Sequence, residues 1–486
     1  MQLYKVLQTT CAIFGLSCLC IAQLAAQVVD DCACAKNFDF LVNTAKVNYV
    51  DYRFRVNSQN QARFQAFTDS LRIQAQKASG PKCLSVLEKW VNFFQDPHFI
   101  IHLNVNSPRN VSEVLAPVEQ SNLPGNRINE YLSTLENKTM GIEGLWLYTD
   151  PTYLQTYQIA IIKDKKKGRD FAGIITQSRS GFWSEGQIRL TIQEANGVYK
   201  VNYFDEHHNR VKTVLQPGKD AIQIKGVGKL YRAYTSATLV QNAGTANYME
   251  ITTITPQTTY IRISDLFYQH GETISAFLEE NKGTLSTSEQ LIVDLRDNPG
   301  GMYWPLNKLL PLLYTHPIRD PGGVILASED NITAYSRLAL RGGSYWQNNL
   351  YPTPLAMLDS MKAHKNQLVV ESSDDTTRME RVMPNPKRIA FLVNENTMSA
   401  AETFLIPASQ SRKVTIFGQA TRGGTLSGGG NLLAMPCSLF KLYYPMLRNT
   451  WVPDRVSREG KIIPQVRIPE STEDWVTFVL DYWKQP

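Results

Sequence analysis

Apolar residues recur every three or four positions through FDFLVNTAKVNYVDY, QARFQAFTDSLRIQAQKA and CLSVLEKWVNFF. That period predicts three amphipathic helices between residues 35 and 95, the last two separated at Gly80-Pro81. At QDPHFIIHL the period changes to a short apolar strand, with His98 at the junction. From 106 to 245 the pattern is one of short runs rich in β-branched and aromatic residues: TYQIAII, FAGIITQS, GQIRLTIQE, GVYKVNYF and VKTVL. Asn196-Gly197 between two of these runs predicts a tight primed hairpin turn. GLW at 144–146 opens the series, and the whole unit reads as a β-rich, barrel-like domain.

Beyond 246 strand-like and helix-like segments alternate: 259–264, 271–281, 290–295, 303–314, 389–393, 399–410 and 413–417. Alternation of that kind predicts an α/β unit with a mainly parallel sheet covered by helices. A polar insertion at 318–386, holding LRGGSYWQNN, interrupts it and is read as a cleft wall or a surface loop.

Within this unit the stretch RIAFLVNENTMSAAETFLIPASQ, 388–410, passes from an apolar strand through a turn into a helix. Ser399 falls at the start of that helix, where free N–H groups and the positive dipole end favour developing negative charge. A serine there either caps the helix or acts as a nucleophile, with the Ala400 N–H beside it as an oxyanion donor.

Composition adds an address more than a chemistry. The 486 residues are 43% hydrophobic and 19% charged, ordinary for a globular chain of two or three domains. A net charge of +6 spread over this length does not single out nucleic acid or membrane as a partner. Residues 1–26 read as a signal peptide, with Lys5 ahead of an apolar stretch from Cys11 to Ala22 and a cleavage point after Ala26. The stretch is short for a membrane span, so the expected location is secreted or periplasmic, with no integral span after leader removal. Among the remaining cysteines, Cys83 is expected to bridge to Cys32 or Cys34. Metal binding is the rival reading, but no His or Cys lies at ligand spacing, and neither a metal nor an organic cofactor is implied.

Two further stretches change the weight given to Ser399. LIVDLRDNPGG (291–301) is an apolar strand followed by a glycine-ended loop, and FGQATRGGTLSGGG (417–430) is a glycine-dense loop between apolar runs. Together with TYIRISDLF (259–267), they make the chain resemble the tail-specific protease (C-terminal processing peptidase) family. That family shows a VDLRxNxGG strand-loop, a T-x-SAxE turn and a G-x-x-T-x-G loop in this order. The resemblance spans roughly 245–470 and implies a crotonase/Clp-protease-like core and a polypeptide substrate.

The resemblance also implies roles. Ser399 corresponds to the nucleophile, and Ala400 with Gly300 or Gly301 to the oxyanion donors. Gly424 stands where the Ser–Lys branch carries its lysine, so the chain is similar to the tricorn-core-like branch, whose base is an N-terminal histidine. Asp96-Pro97-His98 fits that turn, making His98 the expected base and His102 the substitute. The tail Glu459-Gly460-Lys461-Ile462-Ile463-Pro464-Gln465 departs from the family pattern at Ile462 and Gln465, but supplies Glu459 as the expected acid. Gly423 and Gly424 are expected to carry the loop close to the nucleophile, and Glu402 to be structural. The organisation expected is a leader (1–26), a helical segment (27–105), the β-rich domain (106–245) and a catalytic domain (246–486). Two functions follow: a secreted serine peptidase working through Ser399, His98 and Glu459, or a catalytically retired relative that binds a hydrophobic or peptide ligand.

Overall fold

A computed structural model describes residues 31–485 apart from 136–140, 151, 154, 165, 167, 219–220, 234–247, 342–353 and 373–375. The leader and most of the LRGGSYWQNN stretch therefore lie outside the described residues.

The unit beyond residue 246 is built on a six-stranded sheet in the order Met249–Thr255, Thr258–Ile263, Gln290–Asp294, Arg388–Val393, Val414–Gly418, Val466–Arg467. The first pair is antiparallel and the other four pairings are parallel. Its central strands read as unbroken apolar runs because both faces are covered. Ile389, Phe391 and Val393 join one core with Ala401, Phe404 and Leu405, whereas Ala390 and Leu392 turn to the other face and meet Val479 of the terminal helix Trp475–Lys484. Three loops leave the carboxyl ends of neighbouring parallel strands, after Asp294, Val393 and Gly418. In an open α/β sheet that edge is where a site forms.

A second, antiparallel sheet lies beside the first. It runs Ile100–Leu103, Phe440–Asn449, Gly323–Leu326, Leu368–Ser372, with Ser427–Ala434 also pairing to Phe440–Asn449. The insertion is therefore more than a loop: it contributes two strands here and the helices Glu329–Arg341 and Pro354–Ala363. Ile100 pairs with Tyr443 and Leu103 with Phe440, so the strand following His98 belongs to the same sheet as the chain's last long hairpin.

The predicted helices appear as Cys34–Asn48, Gln61–Ala75 and Pro81–Asn92. Their aromatic core, with Phe38, Phe64, Trp90 and Phe94 in edge or tilted contact, extends to Tyr49 and Phe99 on either side of the Asp96–His98 turn. Disulfides fasten this layer. Cys34 bonds Cys83, resolving which of the two early cysteines does so, and Cys32 bonds Cys437, a partner the sequence reading did not assign. The second bridge closes a loop of 405 residues. Replacing Cys437 by alanine is therefore expected to lower unfolding stability by about 2–5 kcal/mol in oxidising buffer. Urea titrations with and without reductant check this: the gap between variant and unaltered protein should close under reductant.

The β-rich unit is a closed eight-stranded antiparallel barrel spanning Gly144–Thr149 to Gly228–Arg232. Asn196 and Gly197 both take positive φ, as the primed turn requires. Its last two strands, Ala221–Ile224 and Gly228–Arg232, are too short to have registered in the pattern. Inside, Arg189 is fully buried, bonded to Glu206 and Tyr203 and faced by the rings of Tyr157, Trp183 and Tyr148. His207 and His208 do not form a metal pair: His207 contacts Glu88, and His208 reaches the carbonyls of Ala116 and Phe182.

Candidate active site

Ser399 sits where the sequence places it, immediately before the helix Ala400–Ala408, with φ 56° and ψ −120°. A positive φ is costly for a residue with a Cβ and persists only where the surroundings impose it. Here the surroundings are specific. Thr397 Oγ donates to the Leu295 carbonyl at 2.8 Å, and Met398 N–H donates to the Asn298 carbonyl at 2.9 Å. Asn394 and Asn396 donate to the Asp297 carboxylate at 2.8 and 3.0 Å. The strand-end loop 297–301 and the turn 394–399 are thus fixed as one piece.

Gly300 packs against that piece. A Cβ on it would lie 2.7 Å from Ser399 Cβ and 2.8 Å from Ala400 N, so no larger residue fits. Its own N–H donates to Asn298 Oδ1 at 2.8 Å. Of the two expected glycine donors, Gly300 is therefore engaged, while the N–H groups of Gly301 and Ala400 have no partner among the described residues. Gly301, at φ 135°, leaves no room for a side chain against the Leu266 carbonyl.

His98 is buried against the glycine loop. A Cβ on Gly424 would stand 2.7 Å from His98 Cε1 and 3.3 Å from Glu402 Oε2, so this glycine lets the imidazole approach the start of the helix that follows Ser399. The Asp96 carboxylate shapes the turn, accepting from His98 N–H at 2.8 Å, Tyr49 Oη at 2.7 Å and Ser427 Oγ at 2.9 Å. Its Oδ1 lies 3.8 Å from His98 Nδ1, and Nδ1 has no hydrogen-bond partner. Burial holds the imidazole pKa below its usual value, with the Asp96 charge opposing, so the ring is a neutral base at neutral pH. Among the described residues no hydrogen bond joins the ring to Ser399 or to Glu459.

His102 is elsewhere, on the paired strand among Tyr153 and Tyr443, its pKa pushed down to about 4 by burial. The Glu459 carboxylate turns to the Ser457 hydroxyl at 2.9 Å and into solvent. What brings Glu459 near is its backbone: its carbonyl would be 3.0 Å from a Cβ on Gly423, and Gly460 lies against Leu426 and Thr425.

The sequence understated Glu402. It is fully buried, and its carboxylate accepts from Ser399 N–H at 2.7 Å, Gly423 N–H at 2.9 Å and the Thr421 hydroxyl, tying the Ser399 turn to the glycine loop. Burial pushes its pKa up to about 8 against the three donors. The folded state therefore holds this proton more tightly than the unfolded chain. The associated stability is complete below the usual glutamate value and is lost as pH rises through about 8. Urea midpoints between about pH 5 and about pH 9 should fall in the unaltered protein by the equivalent of a few kcal/mol, whereas Glu402→Gln, which cannot ionise, lacks that decline. The local signal was the short distance along a helix from Ser399. Asn298 and Thr421 stand in the strand-loop and glycine-loop motifs, but polar loop residues carry no periodicity that would reveal their hydrogen-bond partners.

No group of His, Cys, Asp and Glu among the described residues forms a metal-binding cluster. No helix among them is long and apolar enough to cross a membrane.

Residues 257–436 match the family described as peptidase family S41. No curated protein matches the chain. Among solved structures, mature CPAF complexed with lactacystin is similar at 14% identity and a TM-score of 0.47, over 90% of this chain and 94% of that one. The photosystem II D1 C-terminal processing protease is similar at 13% identity and 0.36, over 90% and 93%. The tricorn protease is similar at 11% and 0.37, over 90% of this chain and 34% of that one. At these values none of the three carries a residue role across.

Proposed function

We propose that this chain, whose residues 257–436 match peptidase family S41, is a serine-type peptidase in which hydrolysis runs through Ser399, His98 and an acyl-enzyme. Ser399 Oγ attacks the scissile carbonyl while His98 takes its proton and then delivers it to the leaving amine. Water deacylates the enzyme by the reverse assignment. The Ala400 and Gly301 N–H groups hold the oxyanion. The observation that carries this reading is Ser399 held at positive φ beside two unpartnered backbone donors.

Glu459 is the proposed acid orienting His98, reached by rotating its carboxylate away from Ser457. One observation favours a second candidate: Asp96 already stands 3.8 Å from Nδ1 and raises the imidazole pKa. Two disulfides and the apolar leader pattern support a secreted or periplasmic setting. Processing of carboxyl termini is one form this activity takes, with a retired ligand-binding protein as the alternative.

The test is fluorophosphonate labelling of the purified protein, with the modified peptide mapped by mass. Adduct on Ser399 that is absent from Ser399→Ala supports the reading. An unlabelled wild-type protein overturns it in favour of the binding alternative.

A further inference from the structure

The barrel reaches the Ser399 turn through its last hairpin, whose strands Ala221–Ile224 and Gly228–Arg232 are joined by a tight turn with Gly226 at φ 70°. Two groups of that hairpin touch the framework around Ser399. Gly226 N–H donates to Glu395 Oε1 at 3.2 Å, and Lys229 Nζ stands 3.7 Å from Asp297 Oδ2. Leu230 is fully buried in the barrel, so strand alternation turns Lys229 outward, towards the loop after Asp294.

Asp297 divides its carboxylate between the two sides. Oδ1 accepts from the Asn394 and Asn396 amides, while Oδ2 faces Lys229, its ion-pair partner among the described residues. Arg296, next in the chain, forks onto Asp294 instead. Burial and the neighbouring Arg262 lower the Lys229 pKa and the Asp297 charge opposes them, so ammonium and carboxylate act on each other. Only 17% of the Asp297 side chain is exposed, and a carboxylate so far from water stays in place when it is paired. Turned out to solvent instead, it would release both asparagines, and with them part of the constraint that keeps Ser399 at positive φ. We propose that Lys229 is a positioning residue for Ser399, acting from the barrel through Asp297, Asn394 and Asn396. This rests on the peptidase reading, in which Ser399 is the nucleophile.

The experiment times fluorophosphonate labelling of the full chain at several probe concentrations, which separates the maximal rate from the half-saturating concentration. Lys229→Met keeps the apolar stem and removes the charge. It is expected to lower the maximal rate about tenfold, with the half-saturating concentration and the final extent of labelling unchanged. Loss of folded protein alone would lower the extent instead. Lys229→Arg, which restores a cation facing a single oxygen, should recover most of the rate. Lys225→Met, which removes the exposed pair of the same hairpin with Glu470, should label at the original rate. In an Asp297→Asn background Lys229→Met should add nothing further. Full-rate labelling by Lys229→Met, no recovery with arginine, an equal loss in Lys225→Met, or additive losses with Asp297→Asn overturns the assignment. An unaltered protein that does not label removes the peptidase reading and this assignment with it, whereas equal labelling of unaltered and Lys229→Met protein removes this assignment alone.

Discussion

Replacing His98 by alanine is expected to slow fluorophosphonate modification of Ser399, and any peptide hydrolysis, by at least about a thousandfold. Among the described residues His98 is the imidazole packed against Gly424 of the glycine loop, and burial keeps it neutral. The same burial makes a second expectation. The labelling rate of the unaltered protein should rise through an inflection below the ordinary histidine pKa and then stay level into neutral pH. Stopped-flow or timed labelling across pH reads both. A His98→Ala protein that labels at the original rate would place the base elsewhere. The supporting acid is then separated by two milder variants, Asp96→Asn and Glu459→Gln. Whichever lowers the rate while leaving the inflection shifted downward is the group that stabilises the imidazolium.

Gly424→Ala is the other large effect. The residue has φ 127°, which a Cβ resists, and that Cβ would stand 2.7 Å from His98 Cε1 and 3.4 Å from Nδ1. Displacing the proposed base by about an ångström is expected to cost on the order of a hundredfold in rate. The backbone strain should add a stability loss of about 1–3 kcal/mol. Gly428→Ala, on the strand that follows the loop, where a Cβ meets nothing within 4 Å, serves as the control. Wild-type labelling by Gly424→Ala would mean that His98 is not held where the proton must move.

The parts of the molecule that were legible from the chain alone are those written in local periodicity. The strand–turn–helix around Ser399 could be read because Ile389 to Val393 form an apolar run and a helical pattern follows. The parallel sheet followed from the alternation of such units, and the barrel from runs such as FAGIITQS with Asn196-Gly197 between two of them. Pairings over long separations left no such trace. Nothing near Ile100 announces Tyr443, and nothing near Cys32 announces Cys437. Nor did the pattern show that Asn298 would occupy the Gly300 amide, which leaves Gly301, of the two expected glycines, as the proposed oxyanion donor. Glu402 was recognisable by position and unrecognisable by duty, because its three donors come from Ser399, Thr421 and Gly423.

The pairing of Ile100–Leu103 with Phe440–Asn449 also sets an order of events during biosynthesis. A nascent chain delivers His98 first and Ser399 some three hundred residues later, yet the strand beside His98 has no sheet partner until the hairpin near Phe440 has emerged. Cys32 waits as long for Cys437. A chain still being made, or one truncated before that hairpin, therefore lacks the sheet pairing that fixes the strand after His98. The candidate site is thus brought together only after the hairpin near Phe440 has formed and Cys32 has met Cys437.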